Sequence, residues 1–216
     1  RRLVREVAER TWDAVARARA EEALRESERH QAFLLALSDV LRPLAEPIAI
    51  QDAASRLLGE YLEVSHAHYA ECYDDDPICV IRSDYLRGET PSRAGVYRMD
   101  DFAPLVEVLR SGRLLVIHAA LTASELPAAV AARCAALGAP AQVTVPLIKR
   151  ERLVGAFTVS QTSPREWTPH DVSVVQEAAE RTWGGVERGQ AQAALRKSEQ
   201  RLKRALSIET VGVLFF

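Results

Sequence analysis

Apolar residues recur at helical spacing in Gln31 to Leu41, through Phe33, Leu34, Leu37 and Leu41, and predict a helix stopped by Pro43 and Pro47. Gln51-Asp52 opens a second helix through Leu57, Leu58, Tyr61 and Leu62. The pattern then changes to period two. His68 to Tyr73 and Ile78 to Tyr85 read as strands joined by an acidic turn, Asp74-Asp75-Asp76-Pro77. Alternation places Tyr69, Glu71 and Tyr73 on one face and His68, Ala70 and Cys72 on the other, without saying which face meets a pocket. A polar loop follows from Arg87 to Tyr97. Asp101 is expected to cap a short helix, Phe102 to Arg110, closed by Gly112. Leu114 to Ile117 reads as a strand, and Ser124 to Leu137 as an Ala-rich helix ended by Gly138. Gln142 to Ile148 and Leu153 to Ser160 form a hairpin across Lys149-Arg150-Glu151-Arg152. Thr168-Pro169-His170-Asp171 starts the last helix, with Thr as N-cap and Pro at the first helical position.

The helical ends carry a repeat. Val4-Arg5-Glu6-Val7-Ala8-Glu9-Arg10-Thr11-Trp12 returns as Val175-Gln176-Glu177-Ala178-Ala179-Glu180-Arg181-Thr182-Trp183. Ala23-Leu24-Arg25-Glu26-Ser27-Glu28 returns as Ala194-Leu195-Arg196-Lys197-Ser198-Glu199 at the same offset. An offset of 171 residues is too long for a solenoid repeat and suits a whole domain with its linker. The expected organisation is a helix of a preceding sensory domain over 1–30, a complete domain over 31–185, a coiled-coil linker over 186–207 and the start of a further domain over 208–216. The lack of an initiator Met agrees with a segment of a longer protein.

The last helix has spacings of three and four through Val172, Val175, Ala179, Thr182, Val186, Gly189 and Ala193. A second seam, out of phase, runs through Ala191, Leu195, Ser198, Leu202 and Ala205. The incoming helix shows the same switch, from Val4, Ala8, Thr11, Val15 and Ala18 to Ala20, Leu24, Ser27, Gln31 and Leu34. A phase change locally over- or unwinds a coiled coil. The pattern suggests a homodimer through these helices, with Val175, Ala179, Thr182, Val186, Leu195, Ser198 and Leu202 as its signalling positions. The competing reading is an amphipathic helix packed only on its own domain. Trp183 is expected to be structural, and Trp12 to be its counterpart in the preceding unit.

Composition narrows the function by exclusion. The net charge is −2, which argues against broad nucleic-acid binding. No apolar run is long enough to span a bilayer in this segment. Three cysteines, Cys72, Cys79 and Cys134, with no Cys-x-x-Cys pair, fit a reducing compartment and hence the cytoplasm. No His and Cys spacing suits a metal, no cofactor is required by the sequence, and no ATP-binding box or phosphoacceptor histidine motif is visible.

Leu109-Arg110-Ser111-Gly112-Arg113, Leu114-Leu115-Val116-Ile117, Val143-Thr144-Val145-Pro146-Leu147-Ile148, Arg152-Leu153-Val154-Gly155-Ala156-Phe157 and Pro164-Arg165-Glu166-Trp167-Thr168-Pro169 resemble the second half of a GAF domain. Glu180-Arg181-Thr182-Trp183 and the linker beyond it are similar to GAF modules of bacterial sensor histidine kinases of the HWE type, and Ile208 to Phe216 resembles the opening of a PAS domain. The resemblance implies an α+β fold: a central antiparallel sheet with helices on both sides, flanked by long N- and C-terminal helices. It implies a signal-relay role in a two-component system and no catalysis by this chain, with a kinase core elsewhere in the parent. A ligand-free dimerisation spacer is the alternative, followed by a GAF-fold redox enzyme.

The resemblance does not name a ligand. The Asn-Lys, Phe and Asp-Glu signature of cyclic-nucleotide-binding relatives is missing. Cys134 stands where bilin-binding relatives carry Cys-His, but Ala135 follows it. The Gly- and Cys-rich loop of the methionine sulfoxide reductases of this fold is missing too. The candidates for lining a small-molecule pocket are Tyr69, Cys72, Arg82, Tyr85, Arg98, His118 and Cys134. Tyr69, Tyr85, Arg82 and Arg98 would supply aromatic walls and anion handles, and His118 a proton- or metal-sensitive group at a strand end. His66 and His68 share a strand face, with no third metal ligand in view.

Overall fold

The computed structural model describes residues 2–73, 76–120 and 127–212. Asp74 and Asp75 of the expected turn, Ser124 to Leu126 of the expected helix and Val213 to Phe216 lie outside the described residues.

Helix α1 is continuous from Arg2 to Leu41, with no break at residue 31. Helix α2 spans Pro47–Tyr61. Pro47 therefore starts this helix rather than only ending the one before; a proline at the first helical position lacks an N–H that would be unsatisfied anyway. Strands β1 (His66–Tyr73), β2 (Ile78–Leu86) and β3 (Gly95–Arg98) follow. A 3-10 turn, Met99–Phe102, leads into α3 (Ala103–Arg110). Then come β4 (Leu115–Ile117), α4 (Ala128–Ala136), β5 (Ala141–Lys149), β6 (Arg152–Gln161) and α5 (Pro169–Gly212).

The six strands form one antiparallel sheet in the order β3-β2-β1-β6-β5-β4. Two expectations need correction. The polar stretch Arg87 to Tyr97 contributes the edge strand β3, and Asp101 is not an N-cap but sits in the 3-10 turn, with Phe102 before α3. Gly112 and Gly138 follow α3 and α4 with φ of 78° and 68°, the left-handed exit that glycine allows at least cost. The β5–β6 connection is Arg150-Glu151, both at positive φ (51° and 63°), as in a type I′ hairpin. At the start of α5, the Asp171 N–H donates to Thr168 Oγ1 (3.1 Å) and the Thr168 N–H donates to Asp171 Oδ2 (2.9 Å), a reciprocal capping box.

One sheet face carries the main core. Ala67 and Tyr69 of β1, Val143, Val145 and Leu147 of β5, and Phe157 and Val159 of β6 meet Phe33, Leu37, Ile50, Ala54, Leu58, Val174, Val175, Ala178 and Val186 from α1, α2 and α5. Each large side chain fully buried here contributes roughly 1.5–3 kcal/mol relative to exposure. Trp183 is half-buried against this core, with Lys149 Nζ 5.9 Å from its ring centre.

α1 and α5 run side by side in the same direction. Glu26 meets His170 at 3.7 Å, His30 meets Glu177 at 3.3 Å, and Arg188 reaches the Leu41 carbonyl at 3.5 Å. The first part of α1 and the last part of α5 consequently overhang opposite ends of the domain, each by about 35 Å at 1.5 Å per residue. The outgoing helix leaves at Gly189, where a Cβ would fall 2.6 Å from the Ala45 carbonyl oxygen. Trp12 (69% exposed) and Leu24 (60%) on one overhang, and Leu195 (61%) and Leu202 (62%) on the other, have no cover among the described residues. Ser198 is exposed beside them. Val175, Ala179, Thr182 and Val186, by contrast, are buried against the chain's own core.

Candidate functional site

The other sheet face is covered by α3 and α4, and a cavity of about 160 Å³ lies between. β1 presents His68, Ala70 and Cys72 to it, β2 Cys79 and Ile81, β5 Gln142 and Thr144, and β6 Ala156 and Thr158. Leu105, Val106 and Leu109 of α3 and Cys134 of α4 form the roof, with Met99 and Phe102 at the side. The face left undecided by alternation is thereby settled: His68, Ala70 and Cys72 face the cavity.

Cys72, Arg98 and Cys134 line the cavity as expected from the sequence. Four other candidates do not. Tyr69 is on the opposite face, in T-shaped contact with Phe157 at 6.1 Å. Tyr85 lies over α2, where a Cβ on Gly59 would meet its ring. Arg82 pairs with Glu71 at 3.1 Å outside the cavity. The pairing shifts between His68 and Ala70, so that His68 opposes Asp84 while Ala70 opposes Ile81. That bulge inserts one residue into β2 and breaks simple alternation. It leaves Arg82 and Tyr85 on the helix side and brings Asp84 beside the histidines. His118 belongs to a structural clasp: its Nδ1 accepts the Trp167 N–H (3.0 Å), its carbonyl accepts the Arg165 N–H (3.0 Å), and Trp167 Nε1 donates to the Ile117 carbonyl (3.0 Å).

No sequence pattern singles out Arg93. Its guanidinium is buried (7% exposed) and lines the cavity. Nε donates to the Leu137 carbonyl and Nη2 to the Gly138 carbonyl, both at 2.9 Å. Nη1 donates to Ser160 Oγ at 2.9 Å, and the backbone N–H donates to Asp84 Oδ2. One side chain thus ties the β2–β3 loop to the end of α4 and to β6. A cation there also meets the negative end of the α4 dipole. Burial lowers the Arg93 pKa, while Tyr97, Asp84 and Cys134 act to raise it.

A relay of hydrogen bonds runs beside Arg93. His66 Nε2 is 2.8 Å from Asp84 Oδ2, and His68 Nδ1 is 3.3 Å from His66 Nδ1. Burial pushes the Asp84 carboxyl up, but hydrogen bonds from the Arg93 N–H, His66 and Ser92 together hold it below the usual range. Burial, aided by the Arg93 charge, lowers His66 to about 4 against the opposing pull of Asp84. Burial and the neighbouring His66 and Arg93 drive His68 well below its ordinary value. Both histidines are therefore neutral at pH 7. With Asp84 ionised, His66 donates through Nε2 and accepts at Nδ1 from His68 Nδ1–H, which leaves His68 Nε2 as an acceptor. No group of three or more metal-ligating side chains occurs among the described residues.

The family model for the GAF domain matches residues 46–185, well over half of the chain, and the chain belongs to that family. No curated protein sequence matches it. Among solved structures, the phycoerythrobilin-bound GAF domain of a cyanobacterial phytochrome superposes with a TM-score of 0.68 at 14% identity, over 76% of this chain and 97% of that one. The blue-light-absorbing form of the Thermosynechococcus elongatus PixJ GAF domain gives 0.58 at 20% identity, over 73% and 93%. The free methionine-R-sulfoxide reductase of Neisseria meningitidis, in complex with its substrate, gives 0.61 at 11% identity, over 76% and 91%. At these identities the likeness is one of fold. GAF domains are in general sensory rather than catalytic, and no helix among the described residues is long and apolar enough to cross a membrane.

Proposed function

We propose that this chain is a sensory and relay module whose cavity takes a small, mainly apolar molecule carrying one hydrogen-bonding group. The observation that supports this most is the cavity itself. Its walls are chiefly Leu, Ile, Val, Ala, Cys, Met and Phe, with His68, Arg93, Tyr97, Arg98, Gln142 and two threonines as the polar groups. Thr144 and Thr158 bond each other at 3.1 Å, which leaves the histidine end to orient a ligand. At about 160 Å³ the space is close to the roughly 150 Å³ that holds a benzene ring, and below the roughly 300–1,000 Å³ of drug-sized sites. A single-ring ligand suits it better than the four-ring bilins bound by the phytochrome relatives, and Ala135 rather than His follows Cys134.

The relay half of the proposal rests on the overhanging helices. The repeat makes the incoming overhang the counterpart of α5, as expected of a tandem of such domains joined helix to helix. Leu195, Ser198 and Leu202 are exposed at coiled-coil spacing beyond the domain and suit a parallel homodimer. Val175, Ala179, Thr182 and Val186 would feel the sheet from inside and couple it to that seam. We place the chain in the cytoplasm, upstream of a PAS domain and a histidine kinase core of a two-component system. Native mass spectrometry of the mildly purified chain tests both halves at once. The expected spectrum is a dimer with a retained small mass. A strict monomer at high concentration would overturn the homodimer, and a dimer that takes up no small aromatic molecule would favour a ligand-free spacer.

A further inference from the structure

Every sulfur atom of the chain lines this cavity: Cys72, Cys79, Cys134 and its single methionine, Met99. Two of them are partners. Cys72 and Cys79 face each other directly in the β1–β2 register, and their sulfurs lie 2.7 Å apart. Directly opposed residues of an antiparallel pair have Cα atoms about 4.5–5.5 Å apart, within the span a disulfide bridges. We propose that Cys72 and Cys79 form a redox modification site, closing to a disulfide when a small hydroperoxide enters the cavity.

Cys79 is the more accessible of the two, half-buried where Cys72 is buried, and takes the oxidant. Its thiolate sulfur attacks one peroxide oxygen, the O–O bond breaks, and the departing oxygen leaves with a proton as an alcohol, or as water when the oxidant is hydrogen peroxide. The sulfenic acid on Cys79 is then displaced by the Cys72 sulfur, and water leaves as the S–S bond forms. Two thiols and one hydroperoxide thus give one disulfide, one alcohol and one water; sulfur loses the two electrons that the peroxide bond gains. Cys134, across the cavity on α4, is buried at 3% exposure and is the bystander. Burial raises its thiol pKa, against the pull of Arg93. The bond would fasten β1 to β2 at the cavity wall, and Cys79 pairs onward with Tyr97 of β3. The proposal stands whether or not a ligand occupies the cavity.

The test uses the reduced full chain treated with a slight excess of cumene hydroperoxide or hydrogen peroxide. Two of the three thiols should disappear, and the intact monomer should lose about 2 Da, reversibly with dithiothreitol. Asp74, Asp75 and Asp76 stand between the two cysteines, so Asp-directed cleavage should yield two peptides held together until reduction. Cys134→Ala should still lose both remaining thiols with the same mass change. Cys72→Ser should gain oxygen on Cys79 instead. Wild-type chain that only gains oxygen, crosslinks through Cys134 or between chains, or keeps all three thiols would overturn the site, independently of how the Cys72→Ser variant folds.

Discussion

Replacing Arg93 with Met should lower stability by about 3–5 kcal/mol. The substitution keeps the unbranched stem of the side chain but removes the guanidinium, and with it the donors to the Leu137 and Gly138 carbonyls and to Ser160 Oγ. Each buried acceptor left without a partner costs roughly 1–3 kcal/mol, partly offset because a buried charge is removed. At about 2–4 °C per kcal/mol for a chain of this size, the melting temperature should fall by roughly 6–20 °C. Arg93→Lys should recover only part of the loss. An ammonium keeps the charge at the end of α4 but cannot reach three acceptors as a planar fork does. Both variants are read by urea unfolding. A loss under 1 kcal/mol for Arg93→Met would mean that the loop is held by something else.

The second large effect is a loss of stability in mild acid. His66 titrates at about 4 in the fold against 6.5 when unfolded, and His68 is displaced in the same direction. Between those values the unfolded chain takes a proton that the folded chain refuses. Stability therefore holds above about pH 6.5 and falls as pH drops toward 4. His66 alone accounts for about 3 kcal/mol at 1.36 kcal/mol per pKa unit, and His68 adds to it. Asp84, whose folded pKa is lowered, contributes stability that is lost only in stronger acid, below its unfolded value of about 3.9. Unfolding free energy measured from pH 7 to pH 4 should show this slope, and His66→Gln, which keeps a donor for Asp84, should flatten it. Equal slopes in wild type and variant would contradict the assignment.

Much of the fold was legible because its signals are local. The 3-4 spacing of Phe33, Leu34, Leu37 and Leu41, the Thr168-Pro169 start of α5, and the glycines ending α3 and α4 each state their element within a few residues. The site was less legible because its parts meet across the chain. Arg93 lies in a polar loop, and its acceptors are 44, 45 and 67 residues away. No local pattern marks it. Arg82 and Tyr85 are pocket candidates by residue type, as an anion handle and an aromatic wall, and residue type cannot announce the residue inserted into β2 that leaves both on the helix side. The spacing of the helix seams does not state their destination. The same three-four pattern that suits a partner chain also suits the domain's own core, and Val175, Ala179, Thr182 and Val186 are buried in that core. Beyond Gly189, Leu195, Ser198 and Leu202 are exposed.

The central claim, that the cavity is a binding site for a small ring, can be read from one atom group. Met99 is the single methionine of the chain and lines the cavity, so a chain labelled with [13C-methyl]methionine carries one native resonance there. Adding benzene, phenol or indole should place an aromatic ring against that methyl group and shift its resonance saturably, at concentrations up to the millimolar range where binding is worth about 4 kcal/mol. Ala156→Phe, which fills the cavity from β6, should abolish the shift while the chain stays folded. A Met99 resonance that no probe moves, or that moves equally in Ala156→Phe, would contradict the account.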